Sequence, residues 1–261
     1  MKEKSHQESM MMEQDIRRKV PEKRTEIDTL KIAIMAILTA VETIATIMID
    51  VPIPGSNGYF NVGEAIIYFT AICFGAKIGA FVGGVGASMA DIILGAAWWA
   101  PGTFVIKATE GFVVGYLFEK LKNSDFVEEN WKSFTMGMGT IFGVSLVAVG
   151  FVIEALSSTL SIVLGAVLFI ISIVLGFTVQ KDTGQKLAAI IPGGIVLVLG
   201  YFLYIAFVLN SIKTGFYSGW ATSPMSAALW EVPWDFMQFL ISTIIAIPLI
   251  AALEPFIKKY V

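Results

Sequence analysis

Four ionisable side chains interrupt an otherwise apolar, glycine-rich stretch of the sequence between residues 60 and 116. They are Glu64, Asp91, Lys107 and Glu110. An ionisable group is costly in hydrocarbon, so a charge at membrane depth usually marks a polar cavity or a buried ion pair. We therefore expect this stretch to carry the function of the protein.

Asp91 shares a face of its predicted helix with small residues. At about 100° per residue, Gly84, Ala87 and Ser88 lie within about 60° of it. The carboxylate therefore faces a closely packed neighbour and not lipid. It either has a structural role, by capping a neighbouring helix or pairing with Lys107, or it contacts a solute directly.

Lys107 and Glu110 stand three residues apart on the next predicted helix, for which Thr103 is the predicted N-cap. Residues at this spacing share a helix face. The two side chains either form an internal ion pair or line a pocket for a charged or zwitterionic solute.

The segment 50–64 joins the first two predicted helices and contains two prolines, several glycines and aromatic residues. This composition predicts a structured external loop that closes over a site. Near the end of the chain, Pro233 fits the first position of the last helix, and Asp235 in its first turn would complement the helix dipole. Gln238 has no such role, which makes it a pocket candidate.

Tryptophans cluster on the side of the predicted bundle that carries this loop. They are Trp98, Trp99, Trp220, Trp230 and Trp234. An aromatic belt at the membrane interface explains most of them. The alternative is that one or two of these rings stack on a flat aromatic ligand.

The first predicted helix has two different faces. Ala33, Ala36 and Ala40 form a narrow stripe of small residues, and Glu42 points about 120° or more away from Ala36. One face would suit a partner helix and the other a polar interior.

The composition is that of a membrane protein: 56% of the 261 residues are hydrophobic and 15% are charged. Eight stretches are apolar enough to span a bilayer. We predict spans over 31–49, 64–76, 78–95, 103–118, 136–153, 160–179, 187–209 and 233–253. Eight of the 18 basic residues precede or open the first span, and an even number of spans places most other lysines on the same side. The positive-inside rule then predicts that both termini are cytoplasmic.

Residues typical of several enzyme classes are missing from the sequence. The single histidine is His6, in a charged segment 1–29 that we expect to be a disordered cytoplasmic tail, and the single cysteine is Cys73. There is no metal-ligand cluster, no nucleophile–base pair and no GxxxxGK phosphate-binding loop. We therefore expect no metal and no cofactor, and any uphill transport must draw energy from an ion gradient or from a partner.

Several short motifs together resemble the substrate-binding S component of energy-coupling factor (ECF) transporters, in particular the riboflavin and pyrimidine-precursor group. They are Asn61–Glu64 (NVGE), Phe74–Gly79 (FGAKIG), Gly83–Gly86 (GGVG) followed by Asp91, Lys107–Gly111 (KATEG), Gly200–Leu203 (GYFL) and Glu231–Gln238 (EVPWDFMQ). Ala36–Ala40 also resembles the AxxxA element with which such proteins dock on the ECF transmembrane partner. The resemblance covers about 30–122 and 187–257.

The resemblance implies an all-α, polytopic helix bundle with a six-helix core and both termini in the cytoplasm. It implies a plasma-membrane, multi-pass protein that captures a vitamin or precursor at the outer face, and the candidates are thiamin, hydroxymethylpyrimidine, pyridoxine and riboflavin. The implied partners are an ECF transmembrane coupling subunit and two ATPase subunits, with no nucleic acid and no enzymatic activity in this chain. Ala33, Ala36 and Ala40 would dock the coupling subunit.

Twelve residues form the predicted substrate-binding set. They are Asn61, Glu64, Tyr68, Asp91, Trp98, Lys107, Glu110, Tyr201, Glu231, Trp234, Asp235 and Gln238.

The sequence departs from the family pattern in two places. Residues 124–185 are predicted to be an inserted two-helix hairpin within a membrane domain that covers 30–261. Asp235 stands where the family commonly has Asn, which favours a cationic ring and leaves the solute open. The alternatives are a self-sufficient secondary transporter, which would show internal repeats with broken helices, and an intramembrane enzyme.

Overall fold

The computed structural model describes residues 22–53, 58–122, 181–212 and 223–260, together with short stretches between 124 and 170. The chain divides into two compact units, residues 1–37 and 38–261. The first helix begins in the first unit and ends in the second. The cavity and the contacts described below all belong to the second unit.

The described residues are mostly helical. The elements are α1 (Glu22–Met48), β1 (Val51–Pro52), β2 (Tyr59–Phe60), α2 (Glu64–Phe74), α3 (Ala76–Ile93), α4 (Ala100–Lys122), α5 (Lys181–Leu203), a π-helical turn (Tyr204–Leu209), α6 (Asn210–Ile212) and α7 (Pro224–Tyr260). The two strands pair antiparallel, with Val51 opposite Phe60 and Pro52 opposite Tyr59.

Six of the eight predicted spans coincide with these helices, although several helices are longer than predicted. The other two, 136–153 and 160–179, lie outside the continuously described residues. The predicted inserted hairpin lies outside them up to residue 180, and its last five residues, 181–185, belong to α5. In the described part, four helices are long and apolar enough to cross a membrane: Thr29–Met48, Ala76–Ile93, Lys181–Leu209 and Pro224–Lys259. These findings support an all-α membrane bundle.

The last helix begins nine residues earlier than predicted, at Pro224 and not at Pro233. Ser223 caps it, because its Oγ accepts the Ser226 N–H at 3.2 Å while Ser226 Oγ accepts the Ser223 N–H at 3.0 Å. Pro224 then occupies the first helical position, where its missing N–H is harmless. Asp235 therefore lies about three turns inside the helix, and a role at the helix dipole no longer explains it.

The predicted N-cap role of Thr103 was also wrong, because α4 begins at Ala100. The Thr103 N–H donates to the Trp99 carbonyl at 2.9 Å, so Thr103 already lies within the helical turn. Its side chain is thereby free of the capping role and is 3% exposed.

Helices α3 and α4 approach each other through glycines. A Cβ atom placed on Gly111 would lie 2.4 Å from the Gly79 carbonyl oxygen, and one on Gly115 would lie 2.5 Å from the Ala76 nitrogen. Backbone contact of this kind requires small residues on both helices. The seam fixes Asp91 on α3 and Lys107 on α4 relative to each other.

The main apolar cluster lies between α2, α4, α5 and α7 and includes Ile67, Val114, Ile190, Leu197 and Phe236. A second cluster surrounds Trp99, Tyr204 and Leu209. Polar side chains collect beside these clusters, around the β-hairpin.

Candidate functional site

A cavity of about 30 Å³ lies beneath the β-hairpin and is bordered by five helices. Its walls combine carboxylates, one lysine, hydroxyls and aromatic rings. The lining residues are Thr46, Gly58, Tyr59, Asn61, Ala87, Asp91, Trp99, Thr103, Lys107, Tyr201, Glu231, Asp235 and Gln238.

Lys107 reaches the cavity from α4 and forms ion pairs with two carboxylates. It contacts Glu64 at the start of α2, and its Nζ lies 3.6 Å from Glu110 Oε2. All three side chains are at most 2% exposed. The predicted internal pair of Lys107 and Glu110 is therefore present, and Glu64 joins it as a second partner.

Hydrogen bonds hold both carboxylates of this cluster in place. Tyr68 donates its hydroxyl to Glu110 Oε1 at 2.6 Å. Gln238 Nε2 donates to Glu64 Oε1 at 2.8 Å, and Ser242 Oγ donates to Glu64 Oε2 at 3.3 Å. Buried charges need this kind of pairing, because their desolvation is otherwise uncompensated.

The β-hairpin is fastened to the helices by polar contacts. The Tyr59 hydroxyl donates to Asp91 Oδ1 on α3, and the Asn61 N–H donates to Gln238 Oε1 on α7 at 2.9 Å. Burial, together with the neighbouring Asp91 carboxylate, raises the pKa of Tyr59, so its phenol stays protonated and remains a donor.

Gly58 in the hairpin lies directly against Glu231. A Cβ atom at this position would be 2.6 Å from Glu231 Oε1. Only glycine fits here without displacing the carboxylate, so the hairpin and the first turns of α7 meet closely.

Two aromatic rings form one wall of the cavity. Lys107 Nζ lies 5.5 Å from the centroid of the Tyr201 ring, within the range of a cation–π interaction. Trp99 meets Tyr201 edge to face, with centroids 5.8 Å apart. The Tyr201 hydroxyl donates to Thr103 Oγ1 at 3.1 Å, which fixes the ring.

The first helix contributes a buried acid behind the cavity wall. Glu42 is fully buried, and its Oε1 accepts from Thr46 Oγ1 at 3.2 Å. A Cβ atom on Gly86 would lie 2.5 Å from Glu42 Cγ, so α3 passes directly over this side chain. Ala36 and Ala40 are exposed, whereas Glu42 faces inward, as the sequence predicted.

Seven of the twelve predicted substrate-binding residues line the cavity. They are Asn61, Asp91, Lys107, Tyr201, Glu231, Asp235 and Gln238.

The other five predicted residues lie away from the cavity surface. Glu64, Tyr68 and Glu110 form a layer behind Lys107. Trp98 and Trp234 are half-buried outside the lining, and Trp98 packs against the cluster around Trp99.

Sequence reasoning did not select several residues that do line the cavity, above all Tyr59, Trp99 and Thr103. The turn 94–99, in which Gly95 adopts a φ of +77°, determines that Trp99 and not Trp98 lines the cavity. A turn of this kind has no periodicity from which side-chain direction can be predicted. Of the tryptophans noted in the sequence, Trp220 lies outside the described residues.

The arrangement is suited to binding. It encloses donors, acceptors and ring faces in a space largely removed from water, where hydrogen bonds discriminate strongly between ligands. The fold and the site together define a multi-pass helical membrane protein with a buried polar cavity.

The family follows from a match over residues 26–178 to the ECF-type riboflavin transporter, S component family. The chain belongs to this family of energy-coupling factor S components. Membership makes it a non-enzymatic, substrate-binding subunit of a vitamin-type transporter. The chain is also 37% identical over 110 residues to a Pyrococcus woesei protein described as an uncharacterized protein in gap 3'region. The matched residues make up 42% of this chain and 68% of that protein.

Proposed function

We propose that this protein captures a small vitamin or vitamin precursor at the outer face of the plasma membrane and delivers it inward with partner ATPases. The candidates are thiamin, hydroxymethylpyrimidine, pyridoxine and riboflavin. The observation that carries the proposal is the polar cavity beneath the hairpin, with its aromatic wall of Trp99 and Tyr201.

The size of the cavity supports a closing motion. At about 30 Å³ it is far smaller than the roughly 300–1,000 Å³ of common ligand sites. A vitamin therefore needs the hairpin to move, and the bonds from Tyr59 to Asp91 and from Asn61 to Gln238 are those that would break and re-form.

The position of the cavity supports uptake from one face. Tyr201 lies near the end of α5, about 22 Å along the helix from Lys186 near its start. The cavity thus lies toward one end of a membrane-length helix. The lysine distribution predicts that this end faces outward and that both termini are cytoplasmic.

Docking on the ECF transmembrane subunit is proposed for α1. Ala33, Ala36 and Ala40 are all exposed, and the neighbouring Ile37 is 63% exposed. Small residues allow the backbone of a partner helix to come close. The partner would supply the coupling to two ATPase subunits.

The test is uptake in cells that lack other vitamin transporters. The chain is expressed with and without an ECF module, and with a module whose ATPases carry a substituted phosphate-loop lysine. We expect uptake of one candidate vitamin only with the active module. Uptake by the chain alone would instead establish a secondary transporter.

A variant of the chain itself separates vitamin binding from delivery into the cell. Ala40→Trp should abolish uptake while the purified protein keeps its affinity for the vitamin, because the substitution lies on the exposed face of α1. The matched control is Val105→Trp on α4, at a position that is 61% exposed. Loss of uptake in both variants would contradict a specific docking surface.

A further inference from the structure

Thr103 connects the aromatic wall of the cavity to the acid that receives the hairpin. Its Oγ1 accepts the Tyr201 hydroxyl at 3.1 Å. A hydroxyl has a single hydrogen, and Thr103 donates its own to the Asp91 carboxyl group. The same carboxyl group accepts the Tyr59 hydroxyl of the hairpin. Side chains from α5, α4, α3 and β2 therefore form one chain of hydrogen bonds, in which Asp91 accepts from both sides.

Helix packing, and not the hairpin, fixes Asp91 and Thr103 relative to each other. A Cβ atom on Gly84 would lie 3.0 Å from the Phe104 carbonyl oxygen, so α3 and α4 meet through their backbones about two turns from Asp91. Asp91 and Thr103 are 2% and 3% exposed. The bond between them thus lies within the helix bundle, whereas Tyr59 belongs to the hairpin that has to move when a ligand enters.

The second attachment point of the hairpin is built in the same way. Gln238 accepts the Asn61 N–H with Oε1, and its Nε2 donates to Glu64 at 2.8 Å. At both points one side chain of the bundle receives the hairpin, and a second residue of the bundle holds that side chain. An acceptor that is already in place favours closure, because no side-chain freedom is lost at the moment of contact.

We propose that Thr103 is a positioning residue for closure of the cavity, which holds the Asp91 carboxyl group where the Tyr59 hydroxyl meets it. This inference rests on the proposed function, in which the hairpin opens and closes over a captured vitamin. Without the Thr103 hydroxyl, the Asp91 side chain turns more freely while the hairpin is open. The hairpin then closes on an acceptor that is not yet in place, and the closed state is less populated.

The experiment is amide hydrogen exchange of the full chain in detergent, without any vitamin, followed by mass spectrometry of peptides that contain Asn61. The Asn61 N–H exchanges when its bond to Gln238 opens, so it reports hairpin opening at the second attachment point. We expect Thr103→Val to raise its exchange rate about three- to tenfold, which corresponds to the loss of one hydrogen bond. Thr103→Ser keeps the hydroxyl and should restore the slow exchange.

Two further variants separate this effect from a general loosening of the helices. Thr109→Val is the same substitution on the same helix, at a hydroxyl that donates to the Val105 carbonyl, and it should leave the exchange of Asn61 unchanged. Tyr201→Phe removes the bond from the aromatic wall to Thr103 and keeps the bond from Thr103 to Asp91. It should therefore raise the exchange rate less than Thr103→Val does.

A double variant tests whether Thr103 acts through the hairpin contact. In a chain that already carries Tyr59→Phe, Thr103→Val should raise the exchange rate no further, because the contact that Thr103 serves is already lost. Additive increases would overturn the proposal, and so would an equal increase with Tyr201→Phe. Should Thr103→Val fail to fold, Thr103→Ala also removes the hydroxyl and is compared with Thr103→Ser in the same way.

The measurement uses no vitamin, so the two proposals fail separately. Unchanged exchange in Thr103→Val would contradict the role of Thr103, while uptake with the ECF module would still support vitamin capture. The expected exchange without uptake of any candidate would support the role of Thr103 in closing the hairpin and refute the proposed function.

Discussion

The main-chain N–H of Asn61 donates a hydrogen bond to Oε1 of Gln238 at 2.9 Å, across 177 residues of sequence. The other end of the same amide donates to Glu64 at 2.8 Å. One side chain on α7 thus holds both the segment after the hairpin and the carboxylate that pairs with Lys107. Closure of the cavity and the buried ion pair are therefore linked through Gln238.

Replacing Gln238 by leucine should loosen both contacts at once. The buried Asn61 N–H would be left without its partner, which costs roughly 1–3 kcal/mol, and Glu64 Oε1 would lose one of two partners while keeping Lys107. We expect a lower melting temperature in detergent and faster ligand release. Thr243→Val is the control, because within the described part of the chain the Thr243 hydroxyl donates only to the Phe239 carbonyl of its own helix. Equal melting temperatures for both variants would argue against the linkage.

Tyr59→Phe tests the contact between the hairpin and Asp91. Because the pKa of Tyr59 is raised in the folded protein, the stability gained from its protonated hydroxyl is complete below about pH 10, the pKa of a free tyrosine, and is lost above it. The variant should therefore be less stable than the unaltered chain near neutral pH. The difference should narrow as the pH rises beyond about 10. Thermal unfolding of both proteins between neutral and alkaline pH checks this, and a difference that widens would contradict it.

Lys107→Met should be among the most destabilising changes in the chain. It leaves Glu64 and Glu110 buried without their cation, and breaking a buried ion pair costs about 3–5 kcal/mol. The double variant Lys107→Met with Glu64→Gln should recover part of the loss, since it removes one uncompensated charge. Melting temperatures of the two variants measure this, and a double variant no more stable than the single one would show that Glu64 is not the main partner.

In the ion-pair cluster around Lys107, the sequence predicted the partner that is close in sequence, Glu110, but not the distant partner, Glu64. Lys107 and Glu110 are three apart on one helix, so helical geometry alone brings them together. Glu64 joins them only because α2 packs beside α4, and a single sequence does not encode that pairing in any spacing. The bond from Gln238 to Asn61 is of the same long-range kind.

The boundary of α7 was predictable in principle. The pair Ser223-Pro224 is a helix-start signal, and Ser226 completes the reciprocal cap. Pro233 carries a similar signal, and propensity alone does not distinguish two prolines within one apolar stretch. Proline inside a helix is tolerated more readily in membrane bundles, where neighbouring groups satisfy the freed carbonyl.

Gly111→Ala should separate α3 from α4. The new Cβ would meet the Gly79 carbonyl oxygen at 2.4 Å, and a backbone atom cannot turn aside as a flexible side chain does. We expect a loss of about 1–3 kcal/mol in the free energy of unfolding and weaker ligand binding. Gly137→Ala is the control: among the residues that the structure describes, nothing lies within 4 Å of its Cβ position, so alanine should be neutral or slightly stabilising. If the two variants behave alike, the glycine seam is not what sets the helix spacing.

Lys186 and Glu254 join α5 to α7 at the end away from the cavity, with Nζ and Oε2 2.5 Å apart. Lys186 is only 3% exposed, so Lys186→Met should lower the free energy of unfolding by about 1–3 kcal/mol. Lys258 also pairs with Glu254, at 2.6 Å, but it is 60% exposed, and Lys258→Met should cost at most about 1 kcal/mol. Neither change should alter vitamin affinity, because Lys186 lies about 22 Å along α5 from Tyr201. Thermal unfolding and titration of both variants measure the two effects separately. A change in affinity with Lys186→Met would mean that this ion pair and the cavity respond to each other through the length of the helices.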